Sequence, residues 1–211
     1  MRIVTSPKNP LDYKMDPEGS RYMIVDYINY RLDKTGHKWN SCPPLLPNPT
    51  RVHRMMRTLG DEFEKRYRSK FSELANQLHI TQDSAYPTFS AVVEEIFAGG
   101  VNWGRVVALF AFSGTLAIRC IENNLPQVVD LLVDWVSTYM HHNIDQWITD
   151  HNGWDGFVEF YENGPSDRND SHWDSFSGVI KYGIYMKTNK YQSILIYTIV
   201  PDVSVTFFVK N

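Results

Sequence analysis

Between Val106 and Ile118 the chain carries thirteen residues with apolar side chains on every helical face, interrupted only by Ser113, Gly114 and Thr115. A helix that is apolar all round must be buried, either in a bilayer or at the centre of a protein. A run of that length covers only about 20 Å at 1.5 Å per residue, short of a roughly 30 Å bilayer core. The pattern therefore predicts a central helix wrapped by other helices. Asn102 is placed to cap it, and a lone arginine, Arg105, stands at its mouth behind Gly104.

The flanking segments supply the wrapping. From Tyr22, Ile24, Val25, Ile28 and Leu32 share one helical face, and Gly36 supplies a stop. Four prolines between residues 40 and 50 make that stretch a linker. Thr50 can cap a helix running to about residue 69, whose stripe Val52, Met56, Leu59 and Phe63 steps by four, three and four. Phe71, Leu74, Leu78 and Ile80 continue at helical spacing. Phe89, Val92, Val93, Ile96 and Phe97 then define a helix closed by Gly99-Gly100. After the central helix, Val128, Leu132, Trp135, Val136, Tyr139 and Met140 favour one side of a helix that Asn152-Gly153 breaks. Trp154, Phe157, Val158 and Tyr161 mark a short last helix.

The expectation is an all-α fold, a helical bundle around one hydrophobic helix, spanning residues 21–161. Residues 1–20 carry three prolines and read as a flexible N-terminal arm. Composition shifts at 162–171, and the tail (162–211) is rich in Ile, Val, Thr, Tyr and Phe. Its segments ILIYTIV and VSVTFFV flank Pro201-Asp202 like two strands around a turn.

A net charge of −3 gives no basic footprint, which argues against a nucleic-acid partner. Cys42 and Cys120 form no framework, and the N-terminus lacks the apolar core of a signal peptide. A reduced intracellular protein is the expectation, with the sequon at Asn169 idle. There is no phosphate loop, no CxxC and no HExxH, so no cofactor or metal is expected. Adjacent His141 and His142 point about 100° apart on a helix and cannot share a metal. The stretch TDHNGWD reads first as a helix–helix corner. An enzyme using a cleft of the bundle would need a convergent acid, base or nucleophile, and none is legible.

The stripe at 52–63 has the ordinary reading of core packing. Gly60 removes bulk beside it and Asp61 puts a carboxylate at its edge, so the helix could also lie in a groove and pair with an arginine. Taken together, VNWGR (101–105), WITDHNGWDGFVEFY (147–161), VHRMMRTLGDEF (52–63) and RYMIVDYINYRLDKTGHKW (21–39) resemble the first, second, third and fourth homology motifs of the Bcl-2 family. Their order and spacing are similar to the pro-survival members. The resemblance implies a bundle with a hydrophobic surface groove that receives the amphipathic third-motif (BH3) helix of pro-death relatives. It implies a groove with Phe63, Arg66, Tyr67, Phe71 and Leu74 on one wall and Val92 and Ile96 on the next. Asn102, Gly104, Arg105, Val107 and Phe112 would form its base and Tyr161 its end. Trp103 is expected to pack rather than bind, and the fourth-motif helix to brace the bundle from outside.

The function so implied is anti-apoptotic: restraint of mitochondrial outer-membrane permeabilisation by sequestering pro-death helices. A pore-forming pro-death effector of the same fold is the alternative, and homo- or heterodimers are compatible with both. Two departures from the family pattern stand out. Met56 replaces the usual leucine of the third motif, weakening the chain as a donor helix more than as a groove. The family's tail anchor is replaced by Ile194–Val209, with Pro201 and Asp202 at its middle. An Asp near a bilayer centre costs about 2.5–3.5 kcal/mol, so the first expectation is a terminus without a working anchor, the second a weak interfacial or hairpin-like segment that associates with a membrane, and the third a true anchor. The implied location is the cytoplasm and the outer mitochondrial surface.

Overall fold

The computed structural model describes residues 19–68 and 80–163, together with the backbone of 185–188 and 194–197. The helices are α1 (Ser20–Lys34), α2 (Arg51–Arg66), α3 (Gln82–Phe97), α4 (Trp103–Glu122), α5 (Pro126–Asn143), α6 (Asp145–Asp150) and α7 (Gly153–Asn163). Thr50 and Thr81 each close a capping box, accepting from the backbone N–H of His53 and Ser84. Asn102 accepts from Arg105 N at 2.8 Å and so opens α4. Pro126 begins α5, where its missing N–H is harmless.

Helix α4 is the centre, with Val106, Leu109, Phe110, Leu116 and Ala117 fully buried. Its polar interruptions are absorbed locally. The Ser113 hydroxyl donates to the Leu109 carbonyl at 2.7 Å and that of Thr115 to Ala111 at 3.0 Å. The helix is longer than the apolar run suggests: twenty residues, or about 30 Å. Length alone therefore does not separate it from a membrane span, whereas its burial against α1, α2, α3 and α5 makes it the bundle's core.

Helix α1 corrects the expectation of an outer brace. It packs directly on α4, α5 and α2, burying Met23, Ile24, Tyr27, Ile28 and Leu32. Two glycines allow this approach. A Cβ at Gly60 of α2 would overlap the Tyr27 phenol, and one at Gly114 of α4 would lie 2.8 Å from Arg31 Cγ. Arg31 and Asp26 are buried with the apolar face, and Arg57 grips Asp26 through two hydrogen bonds of 3.0 and 2.6 Å.

The helix expected from Val128 to the Asn152-Gly153 break is in fact two. The chain stops at Ile144, which is buried, and restarts as α6. Asn152 and Gly153 then turn with φ of 68° and 63°. Gly156 is required at the next turn because a Cβ there would overlap the His151 carbonyl oxygen. Trp103 is buried, 4.8 Å from the Trp147 ring and 5.4 Å from Phe157, so it packs as expected.

In the tail, β1 (Tyr185–Thr188) and β2 (Ile194–Tyr197) pair antiparallel, Tyr185 opposite Tyr197. The expected strand ILIYTIV is thus realised in part, with an upstream partner. VSVTFFV and the Pro201-Asp202 turn lie outside the described residues, as do the arm at 1–18 and the apolar positions Phe71, Leu74 and Leu78.

Candidate functional site

The first turn of α4 is built on two glycines and an arginine. Gly100, at φ 90°, turns the chain from α3, and its carbonyl accepts from Arg105 Nη1 at 2.6 Å. A Cβ at Gly99 would overlap the guanidinium, so the Gly-Gly pair provides the seat for Arg105 as well as the helix stop. Arg105 is half-buried, and its Nε is buried without a hydrogen-bond partner. It forms no ion pair with any carboxylate among the described residues. Leaving such a donor unsatisfied costs about 1–3 kcal/mol. The arginine is therefore held by one neutral carbonyl with spare donor capacity.

The apolar candidates expected to line a groove lie instead in the bundle's buried core. Phe63 of α2, Val92 and Ile96 of α3, and Gly104, Val107 and Phe112 of α4 are all buried, the five side chains in one continuous cluster. Asn102, Tyr67 and Tyr161 are half-buried and Arg66 is exposed. The Tyr67 ring lies 4.9 Å from that of Phe63, tilted by 58°, and Tyr161 packs 5.2 Å from Phe157. Burial, and then the charge of Glu62, raise the Tyr161 phenol pKa above its ordinary range. Phe71 and Leu74 lie outside the described residues.

The stripe of α2 and its Asp61 are placed differently from the donor-helix reading. Val52, Met56, Leu59 and Phe63 all face the core. Asp61 is consumed within the chain, accepting from Tyr30 Oη at 2.6 Å, Lys34 Nζ at 2.5 Å and Arg31 Nη1 at 3.2 Å. Arg31 also pairs with Glu64 through Nη2. Asp61 therefore clamps α2 to α1 and does not reach toward Arg105. The sequence does show that Tyr27, Tyr30, Arg31 and Lys34 fall at i, i+3, i+4 and i+7, one polar-tipped face of α1, but not that this face meets Asp61. A cleft of about 580 Å³ beside the clamp is lined by charge, including Arg31, Glu64 and Arg119, and is not an apolar groove.

Within Glu64, burial pushes the carboxyl up to about 7 although Arg31 opposes the shift. Asp61 goes the other way. Burial would raise it, but the hydrogen bonds from Lys34 and Tyr30 outweigh that and hold it below the ordinary carboxylate range. His53, buried in the capping box of α2, has a lowered pKa because of burial, with Asp26 countering and Arg57 adding.

The described geometry defines a helical-bundle protein built on one buried apolar helix, with an arginine seated at that helix's mouth. A family described as apoptosis regulator proteins, Bcl-2 family, matches residues 56–154, from α2 into α7. Apoptosis regulator Bcl-2 of Gallus gallus is 40% identical, over 76% of this chain and 88% of its own length. Bcl-2-like protein 1 of Homo sapiens is 31% identical, over 69% of this chain and 84% of its own. Apoptosis regulator R1 of Xenopus laevis is 34% identical, over 77% and 72%. The chain belongs to the Bcl-2 family of apoptosis regulators.

Proposed function

We propose that this protein is a pro-survival member of the family, a binding module and not an enzyme. In this reading it captures the BH3 helices of pro-death relatives and so restrains outer-membrane permeabilisation. The observation that carries the reading is Arg105: a half-buried guanidinium at the mouth of the apolar helix that, among the described residues, holds only the Gly100 carbonyl and keeps a buried Nε without a partner. Such a group suits the carboxylate of an incoming helix, and in this reading Phe63, Val92, Ile96 and Val107, buried in the free chain, would supply the apolar contacts once the ligand helix opens the surface over them. On this reading the protein works in the cytoplasm and at the outer mitochondrial surface, without needing an integral anchor. Titration calorimetry with a panel of third-motif peptides tests it. Saturable binding is expected, and its absence across the panel would overturn the reading.

The second reading, a pore-forming effector, draws on α4, which at twenty residues and high hydropathy is long enough to cross a bilayer. Dye release from liposomes separates the two. A guardian blocks release caused by an effector, whereas an effector causes release when added by itself.

A further inference from the structure

Helices α3 and α5 meet along a seam of aromatic side chains on the outside of the bundle. The Tyr86 ring lies 5.1 Å from that of Trp135, Phe89 lies 5.9 Å from Trp135, and Phe97 lies 5.5 Å from Tyr139. Along α5, Leu131, Trp135 and Tyr139 follow at i, i+4 and i+8, one face of the helix, about 12 Å from first to last. Phe89 is buried, but Tyr86 remains 54% and Leu131 44% exposed. Single exposed apolar residues are ordinary, whereas an exposed Tyr and Leu on either side of a half-open Trp form a patch.

The carboxylate and basic side chains of these two helices, histidines aside, have one sign. Helix α3 carries Asp83, Glu94 and Glu95, α5 carries Asp130 and Asp134, and neither helix contains a lysine or arginine. His141 and His142 lie at the far end of α5, and His141 faces Asp145. Asp83 sits one turn before Tyr86. Glu94 is close enough to Tyr139 to raise its phenol, after burial itself. Among the described residues, Arg21 of α1 pairs with Asp134 at 2.6 Å, and Asp130 is engaged by the neutral donors Trp39 and Ser41. Asp83, one turn from Tyr86, Asp134, one turn from Leu131, and Glu94, close to Tyr139, thus carry negative charge toward the exposed aromatic surface, and among the described residues Arg21 pairs with one of them.

We infer that the α3–α5 seam is a docking surface for a basic amphipathic helix of a partner protein. Its apolar residues would cover Tyr86, Leu131 and Trp135, and its flanking lysines or arginines would face Asp83, Glu94 and Asp134. The commitment to a basic partner follows from the charge. An acidic helix would meet the carboxylates of Asp83, Glu94 and Asp134, while a cation gains both from them and from the exposed ring of Tyr86. The surface shares no residue with the groove candidates: Tyr86, Leu131, Trp135 and Tyr139 are none of them.

The test uses the whole chain and two synthetic amphipathic helices of about 15 residues, long enough at about 22 Å to span the patch. One is built of Leu and Lys, the other of Leu and Glu in the same pattern. The Leu/Lys helix is expected to bind at least tenfold tighter than the Leu/Glu helix. Tyr86→Ser with Leu131→Ser, at positions too exposed to support the core, should weaken the Leu/Lys helix at least fivefold with circular dichroism and melting unchanged. Asp83→Lys with Glu94→Lys should do the same and narrow the gap between the two probes. Equal affinity for both probes, no binding of the Leu/Lys helix, or indifference to both pairs of substitutions would overturn the inference. If Tyr86→Ser with Leu131→Ser instead dissolves a dimer in sedimentation, the occupant is a second copy, which also overturns it.

Discussion

The Tyr27 phenol occupies the space that a side chain at Gly60 would fill. This relationship joins the fourth motif to the third, and it is why α1 lies in the core and not outside it. The Tyr27 hydroxyl is buried there without a hydrogen-bond partner.

Gly60→Ala should therefore destabilise the fold by about 1–3 kcal/mol, the usual range for overpacking, despite gaining up to about 1 kcal/mol of helix propensity. Tyr27→Phe removes an unsatisfied buried hydroxyl and should be neutral or stabilising by itself. In the double variant the phenyl ring still crowds the new methyl, so rescue should be partial. Urea denaturation of the four proteins measures the coupling. If Gly60→Ala is neutral in wild type, the two helices are not in the close contact described.

Glu64 sets a pH dependence. Its folded pKa, about 7 because of burial, lies above the ordinary 4.5. The folded chain thus holds a proton that the unfolded chain has released, so stability contributed by this group is present at low pH and falls as pH rises from about 4.5 to 7. Glu64→Gln should flatten that slope, an effect of roughly 1–3 kcal/mol across the window. Asp61 acts oppositely, with its depressed pKa contributing stability above the ordinary carboxylate range that is lost under stronger acid. Melting temperatures at pH 5, 6, 7 and 8 for wild type and Glu64→Gln distinguish the two. An unchanged slope in the variant would sink the assignment.

Both cysteines should be slow nucleophiles in the folded chain. Burial pushes Cys120 up to about 12 and Cys42 up to about 11, with Asp33, Asp130 and Asp26 adding to the second. Thiolate is the reactive form, so alkylation at neutral pH should proceed readily only after denaturation. Rapid native labelling of Cys120, which is fully buried, would show that α4 opens.

Much of this architecture was legible because period and capping agree. The Val52–Phe63 stripe, the Thr50 and Asn102 caps and the Gly99-Gly100 stop all follow from local chemistry, and each is realised. The placement of α1 was not legible, because it depends on two glycines in other helices, Gly60 and Gly114, that no pattern within residues 20–34 reports. The Asp61 clamp was missed for a related reason. A carboxylate beside an apolar stripe suits a docking helix and an internal ion pair equally, and only tertiary structure brings Lys34 and Tyr30 to it. The break at Ile144 escaped because Ile is apolar and gives no stop signal.

The last prediction concerns Arg105 and rests on the proposed groove. In the free chain its guanidinium already holds one neutral acceptor, the Gly100 carbonyl at 2.6 Å. Pairing with a ligand carboxylate replaces or supplements that bond, so the gain is a difference between two interactions. Breaking a partly buried charge pair costs about 2–5 kcal/mol, roughly 30-fold to several thousand-fold in affinity, and this exchange favours the low end. Arg105→Ala should weaken a third-motif peptide by at least about tenfold. Arg105→Lys should recover only part, since an ammonium cannot reproduce the bidentate fork or fill the seat beside Gly99. Gly104→Glu is a poorer probe, because Gly104 is buried and a carboxylate there would damage the fold along with any binding. The control that decides is a peptide whose own Asp is changed to Ala. Wild type should bind it weakly, and Arg105→Ala should lose little more on meeting it, because the pair is already broken. If the two losses simply add, Arg105 and the ligand carboxylate do not touch, and the arginine serves only to close the turn between α3 and α4.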